Sequence, residues 1–199
     1  MTDSPRTYKS SLREEQAKAT RDRILAAAVD LMQTGEDASM DAIAKAAGVE
    51  RRTVFRHFET RETLLGAAFQ WLNDQLGVVI DPNDPAAMVQ AIREGFARMD
   101  RLEGAVRAGL HSRAGREMRL ATLPRRRAAF AASLAPLTTG LPPEDATRIE
   151  ALAHLLYSAA AWEVLKDYGG RTGAEAGQIA AWALERLMSA AASPSADAD

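Results

Sequence analysis

The chain has 199 residues, 47% hydrophobic and 26% charged, which is enough to bury a sizeable core and too apolar for a disordered chain. It contains no cysteine, which excludes a disulfide framework and a thiolate metal site. The formal net charge is −2, so bulk charge does not make it a polyanion binder and any nucleic-acid face must be local.

Residues 1–16 read as a polar, flexible arm. They mix acids with bases and lack the apolar stretch of a secretory leader, and no apolar run nears the roughly 20 residues of a membrane span. A cytoplasmic protein with no membrane partner is expected. The first strong helix runs from about Lys18 to Gln33, with Ile24, Leu25, Ala28, Leu31 and Met32 on one face, and Gly35 ends it. Ser39 can cap a short second helix, with Asp41 in its first turn, Ile43, Ala44 and Ala47 inward, and Gly48 as its stop. A third helix covers about Arg51 to Phe58. Thr60 can cap a fourth, reaching about Gly77 and carrying Leu64, Leu65, Ala68, Leu72 and Leu76 at helical spacing.

The turn-rich VVIDPNDP follows, and Asp84 with Pro85 starts a helix whose apolar face is Met88, Ile92, Phe96 and Met99. Further helical patches cover about Glu103 to Ser112 and Pro124 to Ala135, and PLTTGLPP reads as a loop. One long helix is expected from about Pro143 to Asp167, with Ile149, Leu152, Leu155, Leu156 and Ala159 on one face, ended by Gly169 and Gly170. Thr172 and Glu175 have the spacing of a capping box for a last helix, with Ile179, Trp182, Ala183, Leu187 and Met188 inward. The tail SPSADAD is too polar to pack. No segment alternates as a strand does, so the fold class is all-α with roughly nine helices.

Ser39 to Phe58, SMDAIAKAAGVERRTVFRHF, follows the plan of a DNA-binding helix-turn-helix: two short helices joined by a turn that contains glycine. Ala44 is small where the helices cross, and Gly48 can supply the positive φ of the turn. Val49, Val54 and Phe58 bury against the first helix, which leaves Arg51, Arg52, Thr53, Arg56 and His57 on the outer side. Between Lys45 and Arg61 five bases face two acids, a local excess of three positive charges. Such a helix fits the major groove, where arginine pairs bidentately with guanine and a threonine methyl meets that of thymine. His57 and Arg61 fall where phosphates pass. The alternative on spacing alone is a helical hairpin with a solvated basic face.

TRDRILAAAVDLM, then SMDAIAKAAGVERRTVFRHFETRETLL, closely resembles the TetR family of transcriptional repressors over about Thr20 to Leu65, and the later AAWEVLKDYGG and TGAEA look like one branch of it. The resemblance implies nine or ten helices, the first three for DNA, the fourth a link to a ligand domain, and the last two long helices a four-helix interface in a homodimer. It implies DNA contacts at Ser39, Arg51, Arg52, Thr53, Phe55, His57 and Arg61. It also implies a domain division at residues 17–62 for DNA binding and 63–191 for ligand binding and dimerisation, with 192–199 a disordered tail. Two departures bear on the site. Phe55 stands where the family usually has tyrosine, so a hydroxyl contact to phosphate is absent. Glu50 stands where serine or threonine is usual, and glutamate is a poorer cap that repels phosphate. Arg61 replaces the usual lysine and keeps the charge.

In the C-terminal half, Met88, Ile92, Phe96, Met99, Leu110, Phe130, Leu155 and Trp162 are candidates to line a ligand cavity, with ordinary core packing as the alternative. The small residues Ser158 to Ala161, with Trp162, Ile179 and Trp182, suit a helix–helix interface across a two-fold axis; Ala159, Trp162, Ile179 and Trp182 are its candidates. His111 and His154 read as surface or satisfied side chains rather than metal ligands. Arg113, Arg116, Arg119 and Arg125 to Arg127 form a second basic run, a solvated face by default and otherwise a site for an anionic ligand or a second DNA contact. No G-x-S-x-G, Gly-rich phosphate loop or His/carboxylate metal motif is present, so no enzyme activity, catalytic residue, metal or cofactor is expected. The expected partners are double-stranded operator DNA, an unidentified small-molecule effector and a second copy of the chain. A helical adaptor that binds only proteins is the competing class; unlike it, a DNA binder loses affinity steeply as salt rises.

Overall fold

In the computed structural model, which describes residues 5–77 and 84–192 with side chains from residue 13 onward, the described residues form ten α-helices and no strand. These are α1 (Pro5–Thr34), α2 (Met40–Ala46), α3 (Arg51–His57), α4 (Arg61–Gln75), α5 (Pro85–Arg101), α6 (Glu103–His111), α7 (Arg113–Thr138), α8 (Pro143–Leu156), α9 (Ala159–Asp167) and α10 (Gly173–Ala192). The all-α class follows the sequence reading. None of the described helices is long and apolar enough to cross a membrane.

The predicted starts have the predicted chemistry. Ser39 Oγ accepts from the Ala42 N–H at 3.3 Å, Thr60 forms a reciprocal cap with Thr63, and Asp84 accepts from Ala87 N–H at 2.7 Å ahead of Pro85. Thr172 and Glu175 close the capping box of α10, with the Thr172 N–H donating to Glu175 at 2.8 Å. Gly48 sits at φ +63°, a conformation that favours glycine, and turns the chain from α2 into α3.

Three elements differ from expectation. α1 starts at Pro5, so most of the arm expected over residues 1–16 is helix; residues 1–4, and 193–199 of the expected tail, lie outside the described residues, as do 78–83 of VVIDPNDP. α7 runs unbroken through Pro124 and into PLTTGLPP as far as Thr138, with Ser112 Oγ accepting from Gly115 N–H at its start. The long helix expected over 143–167 breaks at Tyr157 and Ser158 into α8 and α9. Ser158 Oγ caps α9 by accepting from the Ala161 N–H at 3.1 Å, a serine preference that competes with continuing a helix.

One core joins the elements. Ile24, Val29, Ile43 and Val54 close the N-terminal unit, and α4 carries Leu64, Leu65 and Phe69 on from it. The C-terminal helices bury Phe96, Phe130, Trp162 and Leu184 almost completely. Each such side chain contributes about 1.5–3 kcal/mol by leaving water. α5 and α10 share the most extensive helix packing, and a Cβ on Gly177 would lie 2.9 Å from the Arg93 carbonyl oxygen, so no larger residue fits that approach unchanged. Asp100 ties three helices at the end of α5. It accepts from Trp162 Nε1 at 3.0 Å, Lys166 Nζ at 2.9 Å and Gly173 N–H at 2.7 Å. These donors hold its carboxyl below the usual range despite burial.

The candidate nucleic-acid interface and the internal cavity

α3 has seven residues and one buried side chain, Val54, which with Phe58 anchors it on the N-terminal core. That anchoring sets what faces out. Arg51, Arg52, Phe55 and Arg56 are exposed and Thr53 is half-buried. Arg51 pairs with Asp41 at 3.1 Å, and its guanidinium lies over the Phe55 ring, 5.3 Å from the centroid. Arg52 pairs with Glu50 at 2.8 Å. Glu50 makes no side-chain cap to α3, consistent with its poor capping chemistry, and serves as the counter-charge of Arg52 instead. Both pairs are more than 60% exposed, so each is worth about 0–1 kcal/mol and can be exchanged for phosphate or base at little cost.

The remaining predicted contact residues divide. Ser39 is half-buried, with its hydroxyl engaged in capping α2. Arg61 at the start of α4 donates through Nε to the Ala38 carbonyl at 2.9 Å and lies 3.5 Å from Asp37, which fastens α4 to the segment that opens the helix-turn-helix. His57 is not free on the outer side as the helical period suggested. It occupies the last turn of α3, its Nε2 is buried without a partner, and burial with the nearby Arg56 and Arg21 charges lowers its pKa.

A cavity of about 300 Å³ lies in the C-terminal half, walled by α4 (Phe69, Leu72, Asn73) and its C-cap Leu76, by α6 and α7, and by the α8–α9 joint. Of the residues expected to line it, Met99 and Leu110 do. Met88, Ile92, Phe96, Phe130 and Trp162 are core side chains that do not border it, and Leu155 is 56% exposed. Periodicity marks a side chain as inward; it does not distinguish a packed neighbour from an empty one. The lining residues that the sequence reading did not place there include the apolar Phe69, Leu72, Leu76, Val106 and Leu123 and the polar His154 and Tyr157, and they bring in Arg119 and Arg126 of the second basic run. His154 stacks on Phe130 with centroids 4.1 Å apart, and burial with Arg126 and Arg127 lowers its pKa. His111 lies outside the cavity and is exposed beside Glu163 at 2.8 Å.

Of the expected dimer residues, Trp162 is fully buried and therefore closed to a partner chain, and Ala159 borders the cavity. Ile179 and Trp182 do not point inward along α10. They are 39% and 60% exposed, because Ala176, Ala180, Ala181 and Leu184 form the buried stripe. Leu152 and Leu155 of α8 are exposed as well.

α6 links the cavity to the N-terminal unit. Its Val106 and Leu110 wall the cavity, while its first turn meets α1, where the Ala105 N–H donates to Gln33 Oε1 at 3.0 Å. Among the described residues, no group of three or more histidine, aspartate or glutamate side chains is placed to hold a metal.

The comparisons agree with this arrangement. The family model of bacterial regulatory proteins, tetR family, matches residues 24–68, a span that holds the C-terminal third of α1, all of α2 and α3, and the first half of α4. A crystal structure of a transcriptional regulator from Rhodococcus sp. Rha1 has a similar fold, with a TM-score of 0.62 and 20% identity, over 86% of this chain and 97% of that one. No curated protein matches the chain in sequence. The glycine-cornered helix-turn-helix thus lies in a segment that matches the DNA-binding region of bacterial regulatory proteins of the tetR family, within a fold shared with a solved transcriptional regulator.

Proposed function

We propose that the chain is a repressor that binds a pseudo-palindromic operator as a homodimer in the cytoplasm and leaves it when a small molecule fills the cavity. The observation that carries the reading is the outer face of α3, where three arginines stand exposed on a helix anchored from behind by Val54 and Phe58. In this reading Arg51, Arg52 and Thr53 meet base edges from the first turn of α3, while Ser39, Phe55 and Arg61 border the phosphates and the half-buried His57 lies behind them. Repression is the usual mode of the family.

Ile179 and Trp182 on α10 and Leu152 and Leu155 on α8 are exposed apolar side chains that a second copy would cover. Binding to successive major grooves requires such a dimer to hold its two α3 helices roughly 34–36 Å apart, one turn of the duplex. The cavity supports ligand response because α4 borders it with three residues, joined by its C-cap Leu76, and begins at Arg61, next to the helix-turn-helix. A ligand must bind the DNA-incompetent arrangement better, or it shifts nothing.

The test compares Arg52→Ala and Thr53→Ala on the footprinted site upstream of the protein's own gene and on unrelated duplex. Base readout predicts a loss of roughly 1–3 kcal/mol on the site and a smaller one on unrelated DNA. Equal losses on both would remove the base-reading role.

A further inference from the structure

The cavity lining is apolar over most of its surface, yet it holds two arginines and no aspartate or glutamate. Both arginines lie on α7, seven residues apart, on the stripe that also carries Thr122 and Phe130. Their neighbours in the second basic run behave differently: Arg113 is exposed and pairs with Glu117 at 2.7 Å, and Arg116 and Arg127 are exposed.

Arg119 donates to the carbonyls of Gly109 and Leu110 at the end of α6, the latter at 3.0 Å. Arg126 donates through Nη2 to the Tyr157 carbonyl at the end of α8, 2.8 Å away, and lies against the Phe130 and Tyr157 rings. Each guanidinium therefore faces a helix C-terminus, and capping alone is the plain account of both. The charges decide against that account as complete. A helix end supplies about half a negative charge, so two ends answer two cations with roughly one, and about one positive charge remains. Burial lowers the pKa of both arginines, with Arg116 adding to it at Arg119, and only the Tyr157 phenol works against it at Arg126. His154 adds no charge near neutrality, since its pKa is lowered too. Arg126 uses one of its five donors on the Tyr157 carbonyl, and it lines the cavity.

We infer that the cavity takes an amphipathic monocarboxylate, its head on the Arg126 guanidinium and its apolar body among Leu72, Leu76, Met99, Val106 and Leu123. One net positive charge calls for a monoanion, and the planar fork of arginine fits a carboxylate. A volume of about 300 Å³ stands at the small end of ligand pockets, which suits a single short chain or ring. The inference rests on the reading of the chain as a small-molecule sensor and names the class of its effector.

The experiment titrates the full chain with decanoate and with decanol, which share an apolar body and differ in the head. A charge-assisted hydrogen bond predicts about tenfold or more tighter binding of decanoate. Arg126→Gln should bring decanoate to the level of decanol. Equal binding of the two probes, a decanoate preference that survives Arg126→Gln, or no decanoate binding at millimolar concentration would each overturn the inference. The comparison on the unaltered chain stands without any variant having to fold. Release of bound DNA by cell extract judges the sensor reading separately: if extract releases DNA while decanoate behaves as decanol does, sensing stands and the carboxylate is removed.

Discussion

Two glycine-to-alanine changes should move stability in opposite directions. Gly104 lies in the first turn of α6, where a Cβ would stand 2.9 Å from the Gln33 carbonyl carbon and closer still to its oxygen. Both partners are backbone within helices, so neither yields by turning a side chain. Overpacking of this kind costs about 1–3 kcal/mol. For a chain of this size each 1 kcal/mol shifts the melting temperature by roughly 2–4 °C, so Gly104→Ala should lower it by about 2–12 °C. Gly66 lies mid-way along α4 with nothing within 4 Å of an added Cβ. There alanine removes unfolded-chain entropy and should stabilise by roughly 0.5–1 kcal/mol, raising the melting temperature by about 1–4 °C. Thermal melts followed by helix ellipticity read both. Because Gly104 joins the cavity wall to the DNA-binding unit, its variant should also show altered release of DNA by effector. A Gly104→Ala melt equal to wild type, with unchanged release, would refute the tight α1–α6 contact and its role in coupling.

Two further outcomes follow from the same geometry. His154 has a folded pKa below the ordinary 6.5, so the unfolded chain binds the extra proton first. Stability should therefore be full above about pH 6.5 and fall as pH drops through that value toward the folded pKa, and His154→Asn should flatten the decline measured by denaturant titration. An undiminished decline would mean that other groups carry it. Trp182→Glu sets a charge on the exposed α10 face and should yield monomers by sedimentation, with DNA affinity reduced by the loss of the second half-site. A variant that remains dimeric would move the interface elsewhere.

Helix positions were legible where apolar period and cap chemistry agree, as at Ser39, Thr60, Asp84 and Thr172. The N-terminal unit was legible because short helices with a glycine corner leave few ways to bury Ile43, Val54 and Phe58. α7 was obscured by Pro124, which reads as a start or a stop but lies exposed within the continuous helix. The α8–α9 break was hidden because the apolar period continues across Tyr157 and Ser158, and a serine cap in the middle of a run resembles a neutral helical residue. The cavity escaped for a different reason. Five of its eight apolar candidates are core, and its arginines lie inside a charge run whose ordinary reading is a solvated face. Only the seven-residue spacing of Arg119 and Arg126 on the stripe of Phe130 and Leu134 carried the signal, and it needs the full extent of α7 to be seen.

The most direct test of the account is a salt titration of duplex affinity for wild type and Arg52→Ala. If α3 enters a groove with its arginines against the duplex, the logarithm of affinity falls steeply and linearly with the logarithm of salt, by about 0.9 per phosphate neutralised. Arg52→Ala should then weaken binding, with the slope lower by at most about one if Arg52 lies on a phosphate and little changed if it reads a base. A wild-type protein that ignores every duplex at low ionic strength, or a variant that matches it in affinity and slope, would contradict the account.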